Sequence, residues 1–280
     1  MKVILLFSIF LFNVFSVNNQ NEVVFQEQDK VILKGIYAKL EKENKKSTAE
    51  LVALVGKTFL GTPYVAHTLE GGKEQLIVNL RELDCTTYAE NCLAIARSIK
   101  NGRNNFEGFT AELQAIRYRN GIIDGYPSRL HYFSDWIYEN DRKGRIKDVS
   151  KAISNTPYPL QVDFMSTHPG SYKQLESNPG FVNDLSEKEK EISDRQMYYL
   201  PKQKLSEYEN ELREGDIVGI TTSIEGLDIT HVGILVEHDG RIHLMHASSA
   251  AEKVVISEEP LEDYLNAGSK VTGIMVARPL

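Results

Sequence analysis

The chain has 280 residues, 41% of them apolar and 25% charged, the proportions of a globular protein with room for a sizeable core. A formal net charge of −7 carries no basic excess, which argues against nucleic acid or an anionic membrane surface as the main partner. Two cysteines in the whole length exclude a disulfide-built scaffold.

Residues 1–17 stand apart: Met1-Lys2 precedes an apolar run from Val3 to Phe15, broken by Ser8 and Asn13. The run is short for a spanning helix and has the form of a secretory signal, with Val14-Phe15-Ser16 as the cleavage site. An uncleaved anchor is the alternative. No cysteine lies near that site, so a lipid anchor is not indicated. Export, to a periplasm, is the expectation, with no stable membrane insertion once the signal is removed. Residues 18–29 read as a flexible polar stretch, and 30–280 as one domain that opens on a short amphipathic helix at 30–40. Ser47-Thr48-Ala49-Glu50 is a capping box ahead of Leu51, Val52, Leu54, Val55 and Phe59, predicting a second helix that ends near Gly61.

A turn at Gly61-Thr62-Pro63-Tyr64 and a Gly71-Gly72 loop lead to the apolar run Leu76-Ile77-Val78-Asn79-Leu80. Asp84 then serves as the N-cap of a third and central helix, on which Tyr88, Ala89, Cys92, Leu93, Ala96 and Ile99 follow Cys85 at helical spacing. Cys85 falls in the first turn, facing inward. The free N–H groups and partial positive charge of a helix start stabilise a thiolate there, and the thiolate is the reactive form. The plain alternative is a small buried apolar residue, as most free cysteines are. Seven residues at about 1.5 Å rise put Cys85 and Cys92 roughly 10 Å apart, too far to pair. An exported protein that keeps a free thiol gives it some chemistry to do.

A further helix is predicted over residues 109–118, and 128–137 is dense in aromatic and polar side chains. Residues 155–212 are polar and charged, and read as a partly helical insertion over the surface. After them come short β-branched runs at 216–220, 230–236, 241–247, 253–257 and 271–277, separated by turn residues. Asp239-Gly240 is a two-residue hairpin signal. Helices first and an antiparallel meander afterwards is an α+β arrangement.

The hairpin fixes a register. If Asp239-Gly240 is the loop, His238 pairs with Arg241, Gly233 with His246, and His231 with Ser248. His231 and His246 then become diagonal neighbours on one face, with Cα atoms about 7–8 Å apart. A one-residue slip would part them. A thiol at a helix start, packed on a sheet that shows two adjacent imidazoles, is the arrangement of a cysteine hydrolase: His231 moves the proton and His246 orients it. Metal binding by His231, His243 and His246 is the competing use, but His243 and His246 alternate across the strand and chelate poorly, so no metal and no cofactor is expected.

Leu60-Gly61-Thr62-Pro63-Tyr64-Val65-Ala66, Leu83-Asp84-Cys85, Ser128-Arg129-Leu130-His131-Tyr132, Gly215-Asp216-Ile217-Val218 and Thr230-His231-Val232-Gly233-Ile234 together resemble the NlpC-type cell-wall cysteine hydrolases, a papain-like superfamily. The nearer resemblance is to its N-acetylmuramoyl-L-alanine amidase-like branch. It runs from about residue 50 to the end. Thr86 and Tyr88 depart conservatively from the branch's pattern, and His67 stands where a small residue is expected. The resemblance implies a papain-like fold, with helices packed on a C-terminal antiparallel sheet or partial barrel. It also implies hydrolysis of the amide between the lactyl group of N-acetylmuramic acid and L-alanine in peptidoglycan fragments, with 1,6-anhydro-muropeptides as substrates. Cys85, His231 and His246 would be catalytic, with Tyr64 donating to the oxyanion. Asp84, Ser128, Arg129, His131 and Tyr132 would contact substrate, with an internal ion pair as the alternative for Arg129 and the helix cap as the simplest role of Asp84; Trp136 reads as core, with a sugar contact as its alternative. No obligate protein partner is evident. The same residues also serve a D,L-endopeptidase cutting after D-glutamate, and the non-enzyme alternative is an inactive wall-binding module.

Overall fold

In the computed structural model, residues 23–280 are described. The signal at 1–17 lies outside them. Among the described residues no helix is long and apolar enough to cross a membrane.

The first half is helical: α1 (Glu27–Lys39), α2 (Thr48–Thr58), α3 (Cys85–Lys100), α4 (Phe106–Arg117) and α5 (Phe133–Arg142). β1 (Ile146–Asp148), α6 (Ser150–Ser154), β2 (Thr156–Tyr158), α7 (Phe164–Thr167), α8 (Lys173–Glu176), α9 (Pro179–Ser193), β3 (Met197–Pro201) and α10 (Leu205–Tyr208) follow. The chain closes with β4 (Ile217–Thr222), β5 (Ile229–His238), β6 (Arg241–Ser248), β7 (Lys253–Ile256), α11 (Leu261–Ala267) and β8 (Val271–Pro279).

Helix starts carry the expected caps. Ser47 and Glu50 form a reciprocal capping box on α2, and Asp84 and Thr87 do the same on α3. Of the stretch 18–29 read as flexible, residues 18–22 lie outside the described residues, while 23–29 are tied to the fold. Asp29 is fully buried, where its carboxylate accepts from the N–H groups of Gln26 and Leu80 and from Arg81 Nε. A capping box between Gln26 and Asp29 starts α1 at Glu27 rather than at residue 30, and Val24 bridges Ile77.

The strands form one open antiparallel sheet in the order β2-β3-β8-β4-β5-β6-β7, with β1 also on β8. It does not close, so the partial barrel is corrected to an open sheet. One edge is β2, three residues with Pro157 at their centre. The other is β7, along which residues 61–64 run, through Gly61 N–H to Val254 O, Val254 N–H to Thr62 O and Tyr64 N–H to Glu252 O.

Alternation along the central strands buries both faces. Ile217, Ile234, Val236, Met245, Met275 and Ala277 join the larger core beneath α2 and α3. Val218, Ile220, Leu235, Leu244, Ile274 and Val276 fill a second core with Leu205 of α10 and Leu261 and Leu265 of α11. This doubled burial explains the near-continuous apolar sequence of these strands. α3 is likewise buried almost all round, since it lies between α2, α4 and the strands β5 and β6.

Residues 155–212 correct the reading of a surface insertion. They supply β2 and β3 to the sheet, and Leu185, Glu189 and Ile192 of α9 face inward. The carboxylate of Glu189 accepts from Tyr132 Oη and from the N–H groups of Met165 and Ser166. Arg195, just beyond α9, joins Arg119 on the buried carboxylate of Asp135. Charge on the outer side of α9 masked an apolar stripe at helical spacing.

Gly215 at the start of β4 has φ +88, and an added Cβ would fall on the Ala49 carbonyl of α2. Gly215→Ala is therefore expected to destabilise the fold by about 2–4 kcal/mol, through strain and overpacking together. A urea titration reads this directly, and an unchanged midpoint would remove the close approach of α2 to β4 as a constraint.

Candidate active site

α3 begins where two other segments converge. Pro63, Tyr64 and Val65 are stitched to Leu83 through Leu83 N–H to Pro63 O and Val65 N–H to Leu83 O, which places Tyr64 beside the residues opening the helix. Asp84 Oδ1 accepts from Thr87 N–H at 2.8 Å, and Thr87 Oγ1 accepts from Asp84 N–H at 2.9 Å. Cys85 is thereby fixed as the first residue of the helix, half-buried, and its backbone N–H is one of those that a helix start leaves without an internal partner. Cys92, one face inward on α3, is fully buried, and both cysteines are free thiols.

The hairpin forms with the expected loop. Asp239 and Gly240 both take positive φ, and the ladder runs from His238↔Arg241 to Ile234↔Met245. Beyond that ladder His231 and His246 meet: His231 Nε2 lies 2.6 Å from His246 Nδ1, with the rings edge-to-face at 4.8 Å and 89°. His243 turns elsewhere, its Nδ1 donating to Ser257 O at 2.9 Å.

The electrostatics differ from the expected preformed thiolate. Burial first, and then the neighbouring Asp84 charge, push the Cys85 thiol up to about 11 against the helpful N–H of Val232 and the contacts with Thr86. Val232 directly follows His231 on β5, the strand against which α3 packs. Burial and the neighbouring His246 lower His231 to about 3, and burial lowers His246 to about 4. The helix dipole is outweighed by burial and by the acidic cap that stands beside the thiol. The resting pair is a neutral thiol and a neutral imidazole. For His231 to accept a proton on Nδ1, its own proton must sit on Nε2 and be donated to His246 Nδ1.

Two pockets meet at Thr86, next to Cys85 in the first turn of α3. An apolar one is lined by Ala89, Leu130, Phe133, Trp136, Ile229 and Val232. A polar one is lined by His67, Glu70, Asp84, Arg117 and Arg129 among others. Thr86, Glu90, Leu130 and His131 border both.

α3, which Cys85 opens, packs on the strands that carry His231 and His246; Tyr64 is bridged to Leu83 just before the helix, and Asp84, Arg129 and His131 line the polar pocket together. Arg129 is already engaged there, paired with Glu70 at 3.0 Å and Glu74 at 3.4 Å and lying over the Tyr126 ring. His131 Nε2 donates to Tyr126 O at 2.9 Å, leaving Nδ1 as an acceptor, and burial lowers this imidazole to about 3. Two expected contacts lie apart. Ser128 Oγ donates to Gly125 O and closes a turn on the side of a separate groove, and Tyr132 Oη is held by Glu189. His67 takes φ +62, a backbone that glycine adopts freely, which is the physical reason a small residue is expected there. Trp136 is buried and stacked on Phe133 at 5.3 Å, and still faces the apolar pocket.

Sequence reasoning missed Tyr264, whose ring lies 5.4 Å from that of His246. No short-range signal marks it, since it sits on a seven-residue helix joined to the site only by the fold.

Residues 54–274 match the family described as AmiA-like, N-acetylmuramoyl-L-alanine amidase-like. Among solved structures, an N-acetylmuramoyl-L-alanine amidase from Bacteroides uniformis is 42% identical, with a TM-score of 0.80 over 83% of this chain and 99% of that one. A Bacteroides fragilis protein named as a xylanase candidate is 43% identical, with a TM-score of 0.77 over 81% of this chain and 99% of that one. A Legionella pneumophila protein of the family DUF1460, 23% identical with a TM-score of 0.69 over 91% of this chain and 95% of that one, shares the fold. No curated protein sequence matches the chain significantly.

Proposed function

We propose, from the premise that this chain belongs to the AmiA-like, N-acetylmuramoyl-L-alanine amidase-like family of cell-wall hydrolases, that it is a papain-like cysteine amidase. Its substrates are muropeptides, 1,6-anhydro forms among them. It cuts the amide joining the lactyl carbonyl of N-acetylmuramic acid to L-alanine, after export to the periplasm, and uses no metal or cofactor. The observation that carries the reading is the pair of hydrogen-bonded imidazoles on β5 and β6, the strands against which α3 and its first residue, Cys85, are packed.

The chemistry follows from the proton inventory. With the thiol near 11 and His231 near 3, proton transfer from Cys85 to His231 Nδ1 occurs together with attack on the lactyl carbonyl. The charge that develops on the carbonyl oxygen meets the unpaired Cys85 N–H and the Tyr64 hydroxyl. His231 then gives the proton to the departing amine of L-alanine, leaving a thioester. Water attacks that thioester with His231 as base, which frees the lactyl carboxylate and restores the thiol. His246 holds His231 in the required tautomer throughout.

The glycosidase suggested by the B. fragilis protein's name would need two available carboxylates flanking the bond. Here Glu90 is bound to Arg117, Glu70 and Glu74 to Arg129, and Asp84 caps α3.

Mass spectrometry of digested anhydro-muropeptides tests the reading. The expected products are a sugar ending in the free lactyl carboxylate and a peptide beginning with L-alanine. Cleavage after D-glutamate would replace the amidase with the endopeptidase, and intact substrate would leave the wall-binding module. Tyr64→Phe is expected to lower kcat about a hundredfold, the usual loss of one oxyanion donor, and wild-type turnover would take Tyr64 out of the mechanism.

A further inference from the structure

His246 is the last imidazole of the pair, and its second nitrogen has to be accounted for. When His231 Nε2–H donates to His246 Nδ1, the neutral His246 ring carries its proton on Nε2. Among the described residues the only side-chain hydrogen bond made by His246 is the one to His231. On its other side stands an aromatic ring: Tyr264, 5.4 Å away centre to centre and inclined at 73°. That is the edge-to-face geometry in which a polarised ring edge meets a π face favourably.

Tyr264 is delivered by a rigid element. Leu261 and Leu265 anchor α11 in the second core, against β6, which carries His246, and against β8. Burial raises the half-buried Tyr264 phenol, with further contributions from the charges of Glu259 and Cys85, so the same ring borders the nucleophile's surroundings. Glu259 also favours a positive charge on His246.

We propose that Tyr264 is the positioning residue of His246, holding the second imidazole through an aromatic contact where a hydrogen-bonding carboxylate or amide would otherwise stand. This rests on the amidase reading for its substrate but not for its thiol chemistry, and the test keeps the two apart.

Full-length Tyr264→Phe and Tyr264→Leu proteins are compared with wild type on an anhydro-muropeptide, with turnover expressed per titrated Cys85 thiol. Tyr264→Leu is expected to lower kcat about tenfold at unchanged KM, and Tyr264→Phe to stay within about twofold. Carboxamidomethylation of Cys85 by iodoacetamide at neutral pH, followed by peptide mapping, needs no substrate and is expected to rank the variants in the same order. A wild-type enzyme that leaves muropeptides intact would end the amidase reading alone, and the alkylation ranking would still decide this one. The inference is overturned if Tyr264→Leu keeps both rates per titrated thiol, whatever its melting temperature. It is also overturned if Tyr264→Phe is damaged as badly as Tyr264→Leu, which would place the role in the hydroxyl.

Discussion

Cys85→Ala is expected to lower kcat by roughly 10⁴-fold or more, with muropeptide binding retained. In the proposed mechanism the Cys85 sulfur forms the only covalent bond between enzyme and substrate, so no neighbouring group replaces it. Binding survives because the two pockets are lined by other residues, and alanine keeps the helix start while giving up a single sulfur at the edge of the larger core. Calorimetry with intact substrate and a turnover assay separate these two effects, and an alanine variant that still hydrolyses would end the thiol mechanism. The raised thiol adds a signature. A pKa moved up to about 11 means that the thiolate fraction grows only as the pH climbs toward that value. Alkylation of Cys85 without substrate should therefore rise continuously from neutral pH into the alkaline range. A plateau already reached below neutrality would reveal a preformed thiolate–imidazolium pair instead.

The second large effect belongs to His231. His231→Ala leaves a thiol near 11 with no acceptor for its proton and a leaving amine with no donor, so kcat is expected to fall roughly 10³–10⁴-fold. His246→Ala should cost less, because it loosens the orientation and tautomer of His231 without removing the base. His246→Asn, whose side-chain carbonyl can accept from His231 Nε2–H, should recover part of that loss. The three residues act as a unit, and His231→Ala combined with His246→Ala should be little worse than His231→Ala alone. Multiplicative losses in the double variant would show that the imidazoles work independently.

Much of this site was legible in the sequence because its placement depends on short-range rules. Asp84 had to cap a helix, which fixed Cys85 at its first turn. Asp239-Gly240 had to turn a hairpin, which fixed the register that brings His231 to His246. Legibility ended where the determinant was a long-range contact. The thiol's resting state follows from how deeply the fold buries it and from the charge of its own cap, neither of which spacing reveals. Sequence left Arg129 between a substrate carboxylate and an internal ion pair, and only the fold supplies Glu70 and Glu74 as its partners. Asp228 is missed for the same reason: α5 has no cap from its own sequence, and the buried Asp228 carboxylate, far along the chain, accepts from Ser134 N–H. Residues 155–212 looked peripheral because charge is counted along a sequence, whereas burial is decided by one side of a helix.

The open sheet raises a problem of its own, since an exposed border strand offers its unpaired amides and carbonyls to any passing polypeptide. On one side the offer is withdrawn by chemistry: β2 is three residues long and its middle one, Pro157, has no N–H to give. On the other side it is withdrawn by occupancy, because the segment carrying Tyr64 already runs along β7. The second arrangement does two jobs with the same hydrogen bonds. What keeps this border from recruiting further copies into fibrils also fastens Tyr64 to the residue that precedes the cap of α3, so a change that frees β7 should bring polymerisation together with loss of whatever turnover depends on Tyr64.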